Sequence, residues 1–214
     1  MPVPNPILIY RITHIDNLDT ILRRGGLFAP NHEPQDGLPY KCIHNIEIQD
    51  VRHNRIVPCE PGGTLHDYVP FYLGTRSPML YMLHHNYVEG YDEGQEPLVY
   101  LVSSLDQVNA EHLRFVFTNG HAIAILSQFF SDPNELNNLN WNIINTRDWA
   151  DDEFHPDRKR RKQAEFLIHR FCPWSAIDEI AVYNVDIKTR VQTILDNFAE
   201  ECIRPVRIKQ QWYY

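Results

Sequence analysis

A single carboxylate follows a run of positive charge in the last third of the chain. Glu165 starts an apolar segment that ends at Ile168, and five consecutive basic residues occupy positions 158 to 162. Taken alone, a carboxylate on an alternating strand usually faces solvent, and a basic run usually forms a solvated face. Together they concentrate positive potential beside one acidic group. Such a basic run could hold phosphate groups next to the carboxylate.

The familiar nucleotide and metal motifs do not occur in the sequence. There is no G-x-G-x-x-G after a strand and no G-x-x-x-x-G-K-[S/T], which excludes Rossmann and P-loop proteins. The pairs His84-His85 and Cys42-x-His44 do not match zinc spacings. The four cysteines are widely scattered, a pattern that favours free thiols in a reducing compartment. We therefore expect no bound metal.

Composition bounds the class of protein. The net charge of -8 argues against a protein that coats nucleic acid through bulk electrostatics. The 214 residues contain no Ser/Gly-rich linker, so we expect one domain over residues 1–214. No apolar run approaches the ~20 residues needed to span a bilayer. The first residues also lack the features of a secretory signal, so we expect a cytoplasmic protein that does not enter membranes.

Hydrophobic periodicity predicts the elements that must position these residues. Thr13 and Asp16 could cap a helix that runs through Leu22, and Gly25-Gly26 would end it. Residues 29 to 47 are too long and irregular for an ordinary connection, which indicates a functional loop. The predicted strands are 7–12, 69–73, 97–102, 115–117, 165–169, 180–183 and 206–208, and the other predicted helices are 46–55, 187–198 and one that opens at Ser77-Pro78. Strands without regular helix alternation favour an α+β domain over a doubly wound one.

Four segments, taken together and in this order, resemble the DarT family of DNA ADP-ribosyltransferase toxins. They are Tyr10–Leu18, the helix and loop that end at Arg52, Tyr68–Tyr72 continuing through Arg76–Tyr81, and Lys162–Ile168. The resemblance implies an α+β fold with a split mixed β-sheet of the ADP-ribosyltransferase type and surrounding helices. It also implies NAD-dependent transfer of ADP-ribose to a base in single-stranded DNA, with thymine as the expected base. Such a toxin would be neutralised by a macrodomain antitoxin.

The resemblance assigns catalytic roles to Glu165 and Arg52. Breaking the bond between nicotinamide and ribose generates an oxocarbenium-like centre, and a carboxylate that grips the ribose hydroxyl strengthens its contact as charge develops. Glu165 takes that role. Arg52 matches an arginine of the NAD-holding loop that is thought to help remove a proton from the acceptor base. Because a guanidinium is a permanent cation, we expect Arg52 to polarise the thymine carbonyl and stabilise the deprotonated ring.

The NAD contacts are also implied by the resemblance. Arg11 stands where the family usually has histidine, although other ADP-ribosyltransferase groups place an arginine on this strand. Tyr72 would stack on the nicotinamide ring or the target base, and Thr20 and Leu27 would border the adenosine unless they serve helix and turn packing. The expected NAD-binding residues are Arg11, Ile12, Thr13, Thr20, Leu27, Arg52, Tyr72, Arg76 and Met79.

The segment before Glu165 is where this enzyme class carries its substrate-recognition loop. Trp149 could stack on an unpaired base, or it could anchor a loop. The expected DNA-binding residues are His121, Arg147, Trp149, Arg158, Lys159, Arg160 and Arg161. Two alternatives stay open. One is a relative that modifies guanine, RNA or protein with the same chemistry, differing mainly in residues 119 to 160. The other is a non-catalytic nucleic-acid-binding module.

Overall fold

A computed structural model describes residues 2–214 and places most of their strands in one mixed sheet. The strands are β1 Leu8–His14, β2 Gly26–Phe28, β3 Tyr68–Tyr72, β4 Leu98–Ser104, β5 Phe115–Thr118, β6 Phe129–Phe130, β7 Glu165–His169, β8 Phe171–Pro173, β9 Glu179–Val182 and β10 Val206–Ile208. The described part of the chain forms an eight-stranded sheet in the order β10-β9-β4-β1-β3-β7-β5-β6, and β2 pairs with β8 separately. β10 runs parallel to β9, and the other neighbouring strands are antiparallel.

The sheet divides between β1 and β3. β1 pairs with β4 along its whole length, from Leu8 to His14, and β3 pairs with β7 from Tyr68 to Tyr72. Between β1 and β3, in contrast, the register recorded for the described residues consists of Tyr10 opposite Tyr72. The two halves therefore separate beside this contact, which confirms the split mixed sheet expected of an α+β ADP-ribosyltransferase fold.

Helices cover this sheet unequally on its two faces. They are α1 Asn17–Arg23, α2 Ile46–Asn54, α3 Pro78–His84, α4 Leu105–Ala110, α5 Trp141–Asn145, α6 Arg158–Lys162 and α7 Val185–Leu195. One face has a continuous core that includes residues of α1, α5 and α7. The other face has two separate apolar clusters, one around Leu80 and Tyr100 and one around Tyr68 and Leu167.

Local sequence signals explain most element boundaries. α3 begins after Ser77, whose hydroxyl accepts a hydrogen bond from the Leu80 amide, and Pro78 occupies its first turn. α1 begins after Asp16, but the expected cap by its side chain is wrong because no such hydrogen bond forms. Instead, the Asp16 amide donates to Nδ1 of His14, and Thr13 still belongs to β1. The last helix, expected over 187–198, begins at Val185 and ends at Leu195.

Candidate active site

Glu165 is the first residue of β7 and is buried, with a relative exposure of 3%. Its Oε2 accepts a hydrogen bond from Arg52 Nη1 at 2.9 Å, and its Oε1 accepts one from the Ala122 amide at 2.8 Å. The Glu165 amide donates to Oγ1 of Thr118 on β5. The carboxylate is therefore held on both oxygens, and it is not the solvent-facing side chain that an isolated strand carboxylate usually is.

Arg52 is the buried residue of α2, whose other described positions are half-buried or exposed. An arginine 6% exposed needs a partner because an unpaired buried charge costs several kcal/mol, and Glu165 supplies it. One guanidinium nitrogen, Nη2, is buried and has no hydrogen-bond partner within residues 2–214. A buried donor without a partner is unusual, which makes this nitrogen a candidate to bind a ligand.

A second unsatisfied donor lies at the split. Arg11 on β1 donates from Nη1 to the Pro70 carbonyl on β3 at 3.1 Å, while its buried Nε has no partner in the described chain. The loop residue His44 lies near Arg11 and Arg52, and its pKa is lowered by burial and then by these two cations and His66. The neutral imidazole and the unsatisfied arginine nitrogens suit a polar ligand rich in acceptor oxygens.

The loop after β5 closes the other side of the carboxylate. His121 Nε2 lies 4.0 Å from Glu165 Oε1. Burial lowers the pKa of His121, although the charge of Glu165 acts in the opposite direction. Gly120 permits the close approach of Arg160, since a Cβ at that position would lie 2.3 Å from Arg160 Nη1. The loop is thereby fixed with the Ala122 amide directed at Glu165.

Tyr72 lies opposite Glu165 on the neighbouring strand. Its hydroxyl donates to the Met79 sulfur at 3.5 Å, and its pKa is raised by burial and then by the charge of Glu165. Arg76, at the turn into α3, donates from Nη1 to the Tyr213 carbonyl. Tyr72 therefore lies beside Glu165 and contacts Met79, whereas Arg76 contacts Tyr213 and Tyr214.

The remaining residues expected to contact NAD are packed inside the protein. Ile12 and Leu27 are buried in apolar clusters. Thr20 donates from Oγ1 to the Pro39 carbonyl, and Thr13 accepts from the Asn17 side chain, which also holds the loop at Lys41. Thr20 and Asn17 thereby hold the loop of residues 29 to 45 at Pro39 and Lys41. The contact of the expected residues with NAD stays a prediction.

The basic run is neutralised more than its sequence indicates. Arg158 pairs with Asp148 and Asp152, and Arg160 and Arg161 both pair with Asp157. Lys162 is buried, donates from Nζ to the Ile144 carbonyl, and has a pKa lowered to about 8 by burial and then by the charge of Arg76. The sequence predicts positive potential concentrated beside Glu165. The structure corrects this prediction, because aspartates pair with the three arginines of the run.

Lys159 and Arg147 of the expected DNA-binding set differ from the arginines of the basic run, which are paired with aspartates. Lys159 makes no ion pair within residues 2–214, and its Nζ lies 5.9 Å from the centre of the Trp149 ring. Arg147 is exposed. Trp149 is half-buried, packs edge-on against Tyr81, and donates from Nε1 to the Tyr214 hydroxyl. The indole is thus both an anchor and partly accessible.

Sequence reasoning missed three contributors to the site. The Ala122 amide and the Thr118 hydroxyl both bind Glu165, and Tyr214 binds Trp149. No local signal identifies the first two, because their positions depend on strand pairing between β5 and β7. The aromatic C-terminus, Trp212–Tyr214, was visible in the sequence. Among residues 2–214, no group of three or more His, Cys, Asp or Glu is arranged to hold a metal.

The split mixed sheet and the buried pair of Glu165 and Arg52 agree with the ADP-ribosyltransferase class that the sequence resembles. Comparison with known proteins identifies the family. Residues 10–214 match the family described as "ssDNA thymidine ADP-ribosyltransferase, DarT", and this chain belongs to it. A DNA ADP-ribosyl transferase of Thermus sp. is 44% identical over 211 residues, which cover 99% of this chain and 98% of the relative.

Solved structures agree with this assignment. Thermus sp. 2.9 DarT in complex with ADP-ribosylated ssDNA superposes with a TM-score of 0.93 at 43% identity, covering 100% of this chain and 99% of that one. The same Thermus protein in complex with NAD+ gives a TM-score of 0.87, again at 43% identity, with 99% of each chain covered. A more distant relative from Thermosipho africanus, 24% identical, is a DNA ADP-ribosyl transferase-DNA ADP-ribosyl glycohydrolase fusion protein, and this chain covers 46% of it.

Proposed function

We propose that this protein transfers ADP-ribose from NAD to thymine in single-stranded DNA. The observation that carries the proposal is the buried ion pair between Glu165 and Arg52, 2.9 Å apart, with one Arg52 nitrogen left without a partner in the described chain. Family membership supports the reaction class. The relatives solved with NAD+ and with ADP-ribosylated ssDNA support the donor and the acceptor.

NAD supplies the ADP-ribose group when its bond to nicotinamide breaks. The unsatisfied nitrogens of Arg11 and Arg52 fit a donor rich in phosphate and hydroxyl oxygens, because arginine offers several donors in fixed directions. We assign to Glu165 a hydrogen bond with a ribose hydroxyl, which strengthens as positive charge develops at the ribose carbon. The Ala122 amide keeps the carboxylate in place, so little reorganisation is needed at the moment of reaction.

Arg52 acts on the acceptor base. Thymine in DNA carries one ring N–H. As this nitrogen bonds to the ribose carbon, nicotinamide leaves with the electron pair of the broken bond and the N–H proton passes to water, so negative charge develops on the ring and its neighbouring carbonyl oxygens. Nη1 of Arg52 is bound to Glu165, and the free Nη2 can donate to such an oxygen. The permanent positive charge of the guanidinium then favours the deprotonated ring. Tyr72, beside the pair, offers a face on which the nicotinamide ring or the base can stack.

The acceptor must be unpaired. The carboxylate of Glu165 is 3% exposed, so a base has to leave its stack to reach it, and extruding a base from a duplex costs a few kcal/mol. The test is to offer NAD and a thymine-containing strand alone, then annealed to its complement. Labelling should favour the single strand at least about tenfold. Equal labelling of both forms would contradict the proposal.

Matched acceptors separate thymine from the other candidates. A strand in which every thymine is replaced by cytosine should lose the label. A guanine-rich strand, an RNA strand of the same sequence and unmodified protein should remain unlabelled. Labelling of any of these at the rate of the thymine strand would replace thymine as the proposed acceptor, while the NAD chemistry would stand.

We further propose that the protein is a toxin with a macrodomain antitoxin that removes the adduct. The Thermosipho relative, which joins a transferase to a DNA ADP-ribosyl glycohydrolase in one chain, supports such a pairing. The cytoplasm is the proposed compartment because NAD and replicating DNA occur there. Induced expression in a bacterial host should stop growth, and co-expression of a DNA ADP-ribosyl glycohydrolase should restore it. Unimpaired growth despite labelled DNA would argue against a toxin.

We also propose that residues 1–214 act as one domain. The main sheet draws its strands from Leu8 near the start to Ile208 near the end. Limited proteolysis followed by thermal melting tests this, and a single cooperative transition is expected. Within residues 2–214, no helix has the length and apolar character needed to cross a membrane.

A further inference from the structure

Tyr214 connects two segments that belong to different sides of the site. Its hydroxyl accepts a hydrogen bond from Trp149 Nε1 at 2.5 Å and donates one to the Arg76 carbonyl at 2.8 Å. Trp149 lies in the segment assigned to DNA, and Arg76 lies in the turn assigned to NAD. The Arg76 guanidinium also lies 4.5 Å from the centre of the Tyr214 ring. One phenol therefore contacts both segments.

The turn at Arg76 needs such support. Arg76 has a φ of 54°, in the left-handed region that side chains other than glycine seldom occupy. Its amide donates to the Tyr100 hydroxyl at 3.2 Å, and its Nη1 donates to the Tyr213 carbonyl at 2.5 Å. Three groups of Arg76 are therefore held by hydrogen bonds. Tyr100 holds its backbone amide, Tyr214 its backbone carbonyl and Tyr213 its side chain.

Tyr214 is itself fixed from the other side. Its amide donates to Oε1 of Gln95 at 2.8 Å, and Nε2 of the same buried side chain donates back to the Tyr214 carbonyl. The ring packs edge-on against Tyr81, with centroids 5.2 Å apart. These contacts make Tyr214 a rigid connection, because its backbone and its ring are both held before the hydroxyl reaches Trp149 and Arg76.

We propose that Tyr214 is a positioning residue that fixes the DNA-side indole of Trp149 relative to the NAD-side turn at Arg76. This inference rests on the proposed function. The hydrogen bond holds the indole by the edge that carries Nε1, so that its ring face has one orientation toward an incoming base. Stacking of a base on an aromatic side chain depends on that orientation.

Tyr214→Phe tests the proposal because it keeps the ring and removes only the hydroxyl. Losing the hydroxyl's hydrogen bonds to Trp149 and Arg76 should raise the KM for a thymine-containing oligonucleotide about fivefold, while kcat should stay within about twofold of the wild-type value. The matched control is Tyr213→Phe. Its buried hydroxyl donates to the Leu98 and Ala181 carbonyls, so this variant should lower Tm and leave the oligonucleotide KM unchanged.

A spectroscopic measurement tests the same contact independently of activity. The chain has 4 tryptophans, and the indole N–H signal of Trp149 can be assigned by its loss in Trp149→Phe. Tyr214→Phe should shift that signal and speed its exchange with solvent, whereas Tyr213→Phe should not. If the signal moves but the wild type labels no DNA, the proposed function fails and the structural connection stands. An unmoved signal, or an unchanged KM, would overturn the positioning role.

Discussion

At the scale of single residues, the candidate site is built around a buried charge pair, to which the proposed function gives a chemical role as well as a structural one. Glu165 and Arg52 are 3% and 6% exposed, and breaking a buried pair by removing one partner typically costs about 3–5 kcal/mol. In the proposed function, the same pair supplies a carboxylate held by two hydrogen bonds and a guanidinium nitrogen that has no partner in the described chain. Substitutions here must therefore separate loss of stability from loss of chemistry, which favours isosteric changes over alanine.

Glu165→Gln keeps the size of the side chain and an oxygen that can accept from the Ala122 amide. It removes the charge that strengthens its contact in the transition state. We expect kcat to fall about 10²-fold or more, while the dissociation constant for NAD changes less than about threefold. Calorimetric NAD titration and single-turnover labelling measure the two quantities. Glu179→Gln, on β9, is the matched control, and near-normal kcat for Glu165→Gln would remove Glu165 from the mechanism.

Arg52→Lys keeps the positive charge but not the second nitrogen. A lysine can pair with Glu165, but it cannot also reach an acceptor base in the direction of Nη2. DNA labelling should therefore fall about 10²-fold, with NAD binding weakened much less. Arg23→Lys, at an exposed ion pair with Asp19, controls for the change of residue type. Labelling within twofold of wild type would show that Nη2 has no role in the reaction.

At the scale of elements, the charge of α6 cannot be predicted from its own residues, because aspartates outside the helix pair with its arginines. The sequence predicts a basic face at residues 158 to 162, but the aspartates at positions 148, 152 and 157 pair with its arginines. These acids precede the run in the chain, and only the folded loop reveals which of them reach it. Arg160 also bonds Asn119 and Ser127, so α6 supports the loop that carries Ala122.

Single substitutions in α6 should distinguish residues that bind DNA from residues that support the loop after β5. Lys159→Gln should reduce the magnitude of the log-log salt slope of DNA binding by about 0.7, the value for one released counterion on a single strand. Arg161→Gln should change the slope less, because Asp157 already neutralises Arg161. Arg160→Gln should instead lower Tm. Fluorescence anisotropy across a salt series gives the slopes. Equal slopes for wild type and Lys159→Gln would place the phosphate path elsewhere, with exposed Arg147 the next candidate.

At the scale of the whole molecule, the sequence predicts the strands better than their arrangement. Runs such as residues 97–102 and 165–169 are rich in branched or aromatic residues and form β4 and β7 as expected. β6, with two residues, and β2 and β8, with three each, lie outside the predicted strands because such short runs show little periodicity, although β10, also with three residues, is predicted at 206–208. The split between β1 and β3 depends on long-range pairing, so it follows from the family resemblance and not from any local pattern.

The free energy of unfolding should depend on pH through Lys162, the last residue of α6, which is buried and bonded to the Ile144 carbonyl. Its pKa is lowered from 10.5 to about 8 by burial, so between these two pH values the unfolded chain binds more protons at this position than the folded protein. Stability contributed by Lys162 must therefore rise as pH increases from about 8 to 10.5. The full shift corresponds to roughly 3 kcal/mol as an upper value.

Other groups titrate in the same range, since burial raises the pKa of Tyr10 and Cys172 to about 12, and this acts in the opposite direction. Lys162→Met isolates the lysine because it keeps the length of the side chain and removes the charge. Urea unfolding of both proteins at pH 7.5 and pH 10 gives the comparison. Between these values the wild type should gain about 2 kcal/mol relative to Lys162→Met. Parallel pH profiles would show that the pKa of Lys162 is the same in the folded and unfolded protein.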